Sequence, residues 1–149
     1  MEIEQDPAYQ QMINGELYLE SKPLVNLRND VRTKLMEYNL IADNDQRNTK
    51  IKSLMKSVGN RFFVEPTIYF SYGVNITIGD HFYANHDVML CDEGKITIGN
   101  DVKFGPKVGL YTPKHPMDQL FVVLKPKELP QLQSETMFGS EAAQVFFQE

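Results

Sequence analysis

The sequence predicts an all-β main domain, a short β-helix, joined to an N-terminal α-helical segment. Three observations carry that prediction. The stretch Ile76-Thr-Ile-Gly-Asp-His-Phe-Tyr-Ala-Asn-His-Asp-Val-Met-Leu90 recurs, at an offset of 20 residues, as Ile96-Thr-Ile-Gly-Asn-Asp-Val-Lys-Phe-Gly-Pro-Lys-Val-Gly-Leu110. Each apolar anchor survives that step: Ile76 maps onto Ile96, Ile78 onto Ile98, Phe82 onto Val102, Ala84 onto Phe104 and Val88 onto Val108. The anchors fall about six residues apart, the spacing of short strands stacked as coils that cannot bury their apolar faces alone. Before residue 60 the apolar residues follow helical spacing instead.

The helical segment reads in order. Tyr9, Met12, Ile13 and Leu17 put one apolar stripe on a short helix within Pro7 to Tyr18, with Gly15 weakening its last turn. A second helix starts near Pro23, carries Leu24, Leu27, Val31, Leu35 and Tyr38 on one face, and ends at or soon after Asn39. The polar run Ala42 to Thr49 supplies caps for a third, in which Ile51, Leu54, Met55 and Val58 fall at i, i+3, i+4 and i+7, with Gly59-Asn60 as its stop. Helices this short fold only against one another and against the solenoid end, where they would cover the first coil's open edge.

From Arg61 to Phe70 the period turns extended, and Phe62, Phe63, Tyr69, Phe70 and Tyr72 crowd the junction. Tyr72-Gly73 reads as a corner. Gly79, Gly99, Gly105 and Gly109 are expected where the chain bends tightly or approaches another backbone. After Pro116 the repeat fails: Gln119 to Lys125 holds one strand-like run, then Pro126 and Pro130 follow, and residues 131–149 show no Ile-Gly repeat. The expected organisation is a helical segment over 1–60, coils with a histidine loop over 61–118, and a divergent tail over 119–149.

Composition narrows the function classes. With 15 basic and 20 acidic side chains the formal charge is −5, so bulk charge does not attract a phosphate backbone. Neither a signal segment nor an apolar run of about 18 residues is present, and a cytoplasmic protein without membrane or nucleic-acid partners is expected. The lone Cys91, between Leu90 and Asp92, reads as a structural thiol. His81 lies in a coil corner and His86 in a polar turn beside Asn85 and Asp87, both read as inert. His81, His86 and His115 do not recur at a constant offset, which argues against a metal site built from stacked histidines. His115 sits between Pro113 and Pro116 in a loop leaving the coil, a position suited to proton transfer.

Gly15-Glu-Leu-Tyr18, Phe70-Ser-Tyr-Gly73, Tyr83-Ala-Asn85, Thr97-Ile-Gly-Asn-Asp-Val102 and His115-Pro-Met-Asp118 together resemble the sugar O-acetyltransferases of the maltose, galactoside and nodulation type, a branch of the hexapeptide-repeat acyltransferases. The resemblance implies a left-handed parallel β-helix with an N-terminal helical segment, a homotrimer if the shortened helix is stable, and transfer of acetyl from acetyl-CoA to a sugar hydroxyl without a metal. It places the general base on His115 and the acceptor contacts on Asn85, Ser71 and Tyr83. It places an acidic contact on Asp92 or Glu93 and a further one on Glu20. It implies no assignable CoA-binding residue, because the further coils that form most of the family's CoA groove have no counterpart after residue 118 and the chain contains no tryptophan. The alternative expectation is an inactive truncated homologue, a sugar-binding or structural β-helical protein.

Overall fold

The computed structural model describes residues 3–113 and the backbone of 144–146. After a 3-10 turn at Ile3–Gln5 come three helices, α1 (Pro7–Ile13), α2 (Lys22–Asn39) and α3 (Asn44–Lys52). Each starts where a short polar side chain can accept an otherwise unpaired backbone N–H: Asp6 accepts from Tyr9, Ser21 from Leu24 and Asp43 from Gln46. The first two caps are joined, because the Ser21 hydroxyl also donates to Asp6 Oδ1 at 2.9 Å. That bond ties the start of α2 to the start of α1 and fixes where the intervening loop runs.

Three coils follow. The first holds β1 (Ser57–Val58), β2 (Phe63–Val64) and β3 (Ile68–Phe70); the second β4 (Ile76–Ile78), β5 (Tyr83–Ala84) and β6 (Val88–Cys91); the third β7 (Ile96–Ile98), β8 (Lys103–Phe104) and β9 (Gly109–Tyr111). Equivalent strands pair in parallel to make three sheets, and every parallel register is displaced by 20 residues: Ser57 on Thr77, Phe63 on Tyr83, Ile68 on Val88, Ile76 on Ile96, Tyr83 on Lys103, Met89 on Gly109. The repeat read from the sequence is therefore the hydrogen-bond register itself. A tenth strand, β10 (Gln144–Phe146), runs antiparallel along β9.

Inside the coils the columns are apolar: Phe62, Val64, Ile68, Phe70, Ile76, Ile78, Phe82, Ala84, Val88, Leu90, Ile96, Ile98, Val108 and Leu110 are all buried. The small Ala84 leaves room above it, and the Phe104 ring packs edge-on against Phe82 with centroids 5.2 Å apart. Val31, Leu35 and Tyr38 of α2 join the same core. The open edge of the first coil is covered by polar groups from the end of that helix. Tyr38 Oη donates to Val64 O at 3.0 Å, while the Asn39 amide donates to Ile68 O and accepts from Ile68 N–H, at 3.2 and 3.0 Å. Asn39 thus substitutes for the missing strand. A second core, around Ala8, Tyr9, Met12, Leu24 and Tyr72, seats α1 on the second coil.

The structure corrects several local readings. α1 ends at Ile13, so Leu17 lies beyond the helix and is 63% exposed, while Tyr18 packs inward instead. α3 occupies the polar run at Asn44–Lys52, and Val58 belongs to β1. Gly59-Asn60 is not a helix stop but the first member of a corner that recurs at Gly79-Asp80 and Gly99-Asn100. There, side chains cap the backbone of the coil before: Asp80 Oδ1 accepts from Asn60 N–H at 2.7 Å, and Asn100 Oδ1 from Asp80 N–H at 2.8 Å. Tyr69, expected in the junction, points outward and is 46% exposed. Within the coils the left-handed turns fall on Gly73, with φ of 74° at the corner read from Tyr72-Gly73, on Arg61, His81 and Asp101, with φ of 51°, 58° and 60°, and on Asp87 and Lys107, with φ of 62° and 61°; Gly79, Gly99, Gly105 and Gly109 are not left-handed.

Among the described residues no helix is long and apolar enough to cross a membrane. Gly79 and Gly99 separate two reasons for glycine at equivalent corners. A Cβ on Gly79 would stand 2.8 Å from Gly99 C and 2.9 Å from Asn100 N, whereas one on Gly99 would meet nothing within 4 Å. Gly79→Ala should lower stability by about 1–3 kcal/mol, the range of overpacking against backbone, and Gly99→Ala by less than about 0.5 kcal/mol. Urea unfolding of the two variants measures the difference, and equal values would refute the close-approach explanation.

Candidate active site

The corner after β6 gathers most of the acidic and hydroxyl groups singled out in the sequence. Asp92 is fully buried, and its Oδ1 accepts the backbone N–H groups of Ser71 and Tyr72 at 2.9 and 2.8 Å. Its neighbour Glu93 accepts the Ser71 hydroxyl at Oε1, at 2.8 Å. The pair that the sequence left undivided thus separates by role: Asp92 clamps the turn beneath it, and Glu93 shares the Ser71 side chain. The turn is fixed from the other side too, since Asn75 Nδ2 donates to Asp92 O at 2.7 Å and Tyr9 Oη donates to Asn75 Oδ1 at 2.6 Å.

Glu20 reaches the same region from the loop that the joined helix caps hold in place. It forms a two-pronged ion pair with Arg28, whose second bond measures 3.0 Å. Tyr18, Glu20, Arg28, Tyr72 and Glu93 lie within electrostatic reach of one another. Burial pushes both the Tyr18 and Tyr72 hydroxyls up, with Glu93 and Glu20 adding to the shift. Tyr72 Oη lies within hydrogen-bonding reach of Tyr18 and Arg28, and the Gly73 N–H faces the Asp92 carboxyl, while Arg28 Nε and Glu93 Oε2, both buried, lack a partner among the described residues. Leaving such atoms unpaired is unfavourable, and their concentration at one corner marks a place equipped for polar ligand groups.

Arg28, Tyr18 and Tyr72 were not singled out in the sequence as site residues. For Arg28 a signal existed: it stands four residues after Leu24 and three before Val31, a cation set on the apolar stripe of α2.

Asn85 and Tyr83 stand apart, on β5 and the turn after it. Asn85 Oδ1 accepts the His86 N–H at 2.7 Å, and the Tyr83 ring stacks on Phe63 with centroids 6.1 Å apart. Among the described residues no hydrogen bond, ion pair or ring contact links them to Ser71, Glu93 or Glu20. His115 lies outside the described residues. His81 is an exposed corner residue facing Asp101 Oδ1 at 2.9 Å, and His86 Nδ1 lies 2.5 Å from Pro66 O. Cys91 is half-buried; burial, followed by Glu93 and Asp92, pushes its thiol up to about 11, which keeps it protonated and weakly nucleophilic at neutral pH. Among the described residues no group of three or more His, Cys, Asp or Glu side chains is disposed to hold a metal ion.

Comparison with known proteins agrees with this architecture. Residues 11–59 match the family described as the maltose acetyltransferase hexapeptide capping motif. The chain is 40% identical over 111 residues to the Saccharomyces cerevisiae protein YJL218W, named as an acetyltransferase, covering 72% of this chain and 57% of that protein. It is 35% identical over 116 residues to galactoside O-acetyltransferase of Escherichia coli, covering 74% and 56%. A solved galactoside acetyltransferase in complex with coenzyme A superposes with a TM-score of 0.73 at 32% identity, over 78% of this chain and 60% of that one. The chain belongs to the sugar O-acetyltransferase branch of the hexapeptide-repeat acyltransferases.

Its coils are accordingly those of a left-handed parallel β-helix capped by helices. As a member of the sugar O-acetyltransferase branch it spans a little over half the length of the relatives it matches. The family's capping motif ends at Gly59, so it covers α2, α3 and β1, the elements that close the first coil.

Asp92 provides a test of how strongly this corner is buried. Burial raises its carboxyl to about 6, Glu93 acts in the same direction, and the backbone N–H groups it accepts oppose both. A carboxyl raised in this way stabilises the folded state fully at pH values below its unfolded pKa, near 4, and that contribution is lost as pH rises through about 6. An amide keeps the oxygen that accepts from Ser71 and Tyr72. Asp92→Asn should therefore gain stability relative to wild type between pH 4 and pH 7, by roughly 3 kcal/mol at most. Urea midpoints at four pH values in that window measure it, and a difference independent of pH would show that ionisation of Asp92 is not coupled to folding.

Proposed function

We propose that this chain carries the acceptor side of an acetyl-CoA-dependent sugar O-acetyltransferase acting on glucosyl or galactosyl hydroxyls. The observation that carries the reading is the corner where Ser71, Glu93, Glu20 and Arg28 meet beside buried polar atoms that lack partners. Carboxylate oxygens accept from hydroxyls and a guanidinium donates to them, so such a corner is suited to a polyhydroxylated ligand. Asp92 acts beneath it by holding the 71–72 backbone.

His115 is the general base in this proposal. Its imidazole takes the proton of the sugar hydroxyl as that oxygen adds to the thioester carbonyl. Backbone N–H donors stabilise the tetrahedral oxyanion. The carbon–sulfur bond then breaks, the imidazolium returns its proton to the departing thiolate, and the products are an acetyl ester and CoA. No acyl-enzyme is needed, consistent with a Cys91 thiol held protonated.

Asn85 and Tyr83 bear on assembly. They face outward from a different sheet than the Ser71 corner, which supports an acceptor site completed between copies, Asn85 of one subunit meeting the acidic corner of another in a homotrimer. The relative solved with coenzyme A supports acetyl-CoA as the donor.

A second reading is favoured by β10. An antiparallel strand lies along β9 where a further coil would pair in parallel, which is suited to a β-helix that binds a sugar without turning it over.

Thiol release from acetyl-CoA with a panel of glucosyl and galactosyl acceptors separates the two. Sugar-dependent release that falls about 10²–10⁴-fold in His115→Ala supports catalysis. Saturable sugar binding that is lost in Glu93→Gln, without thiol release, supports the second reading. Absence of both removes both. Sedimentation of the same protein tests the trimer, and a monomer with full activity would refute a site shared between copies.

A further inference from the structure

A second polar cleft lies on the far side of the Tyr9–Asn75 pair from the acidic corner, between α1 and the β1–β4–β7 sheet. It has a volume of about 190 Å³ and is lined by Tyr9, Lys56, Asn75, Thr77, Lys95 and Thr97. No carboxylate lines it, although the chain carries an excess of five acidic groups. Its two ammonium groups come from different coils: Lys56 immediately precedes β1, and Lys95 immediately precedes β7.

The coil register explains the juxtaposition. Thr77 stacks on Thr97, which places two hydroxyls in one column. The same 20-residue step sets Lys95 over Asn75, and Lys56 lies in the first coil in the adjoining column, under Ile76 and next to Ser57. Among the described residues, neither lysine takes part in an ion pair. Asn75 is itself buried, 5% exposed, and holds a fixed orientation because its oxygen accepts from Tyr9 and one of its N–H groups donates to Asp92 O. An amide nitrogen has two N–H donors, so one remains for a ligand.

We propose that this cleft binds a phosphate-sized oxyanion, free or as a phosphomonoester. The donor set matches that chemistry. Two compact cations from the first and third coils line the same cleft as the Thr77–Thr97 hydroxyl column, and a buried amide and those hydroxyls supply neutral donors. A tetrahedral dianion accepts from several directions at once, and a set of donors without a competing carboxylate serves it better than it serves a neutral sugar. The cleft lies behind the Ser71–Glu93 corner and shares only the supporting Tyr9 and Asn75 with it, and its occupancy does not depend on acetyl transfer.

The test titrates the full chain, at constant ionic strength, with inorganic phosphate and separately with glycerol 3-phosphate, followed by amide nitrogen–proton spectra. Saturable shifts confined to residues around Lys56, Thr77, Lys95 and Thr97 are expected. The Lys56→Gln, Lys95→Gln double variant should weaken binding at least about tenfold, the order expected for losing charge-assisted bonds. A control double variant on α3, Lys50→Gln with Lys52→Gln, should leave binding unchanged. Tighter binding of the ester identifies a phosphomonoester ligand, and tighter binding of phosphate identifies the free anion. Both lysines are exposed, so thermal melts of the variants should match wild type. Absence of saturable binding by either probe, or binding that survives in the Lys56, Lys95 double variant, overturns the proposal.

Discussion

The fold depends on one constraint: a strand of two to four residues has hydrogen-bond partners only if the next coil returns to the same place 20 residues later. No coil could persist alone, since each buries its apolar face against its neighbours and pairs its backbone only with them. The corners therefore carry most of the chemical specification. At one corner, Arg61, His81 and Asp101 all adopt the left-handed conformation, which is unfavourable for side chains bearing a Cβ. It is tolerated because the parallel register on either side fixes where each coil turns. The first coil lacks a neighbour below, and α2 supplies the substitute through the Asn39 amide and the Tyr38 hydroxyl.

The same register builds the acidic corner. Asp92 occupies the position one coil above Tyr72, so its carboxylate can reach down to the 71–72 backbone, and Glu93 beside it can reach the Ser71 hydroxyl. In the next coil the equivalent place holds Thr112, whose hydroxyl donates to Cys91 O and accepts from Gly94 N–H. Side chain to backbone bonding thus recurs at this corner with different chemistry at each level. The helical segment completes the arrangement from outside. Because Asp6 and Ser21 are bonded to each other, the loop between α1 and α2 has little freedom, and Glu20 meets Arg28 where Tyr72 and Glu93 emerge.

Much of this was legible in the sequence because the repeat states the register directly: Ile76 onto Ile96 and Ala84 onto Phe104 are both the sequence match and the strand pairing. The existence of α1 and α2 was legible from apolar spacing, and the tertiary contact of α2 with the first coil followed from the need to cover an edge. The third helix was misread because Ile51, Leu54, Met55 and Val58 face the core at helical spacing while only Ile51 is helical. Burial, not helix geometry, set that pattern. The glycines were read as marking either bends or close backbone approaches, and Gly79 meets the second, standing against Gly99, a contact between residues far apart along the chain. Ser71, Glu93 and Glu20 were singled out only through resemblance to a family; the structure shows that Ser71 bonds Glu93 and that Glu20 pairs with Arg28 nearby. Arg28 was not, since the partner that explains a cation on an apolar stripe lies eight residues away in a loop whose path only the fold sets.

Two corners of the same solenoid show how an exposed ladder differs from the buried corner proposed as a site. At Asp80 and Asn100, a carboxylate and an amide oxygen sit at the surface and accept the backbone N–H of Asn60 and Asp80 in the coil before. Their remaining lone pairs face water, so nothing opposes the bond. At Ser71, Asp92 and Glu93 the bonds are of the same kind, but burial raises the Asp92 carboxyl and leaves Glu93 Oε2 and the nearby Arg28 Nε without partners among the described residues. Each such atom opposes folding by about 1–3 kcal/mol. Folding alone would be better served by the exposed form of the ladder, which this chain builds one corner away. The groups left open at the buried corner, a Glu93 carboxylate oxygen and the Arg28 Nε–H, are an acceptor and a donor that hydroxyl groups complement, which is the physical ground on which the proposed acceptor site rests.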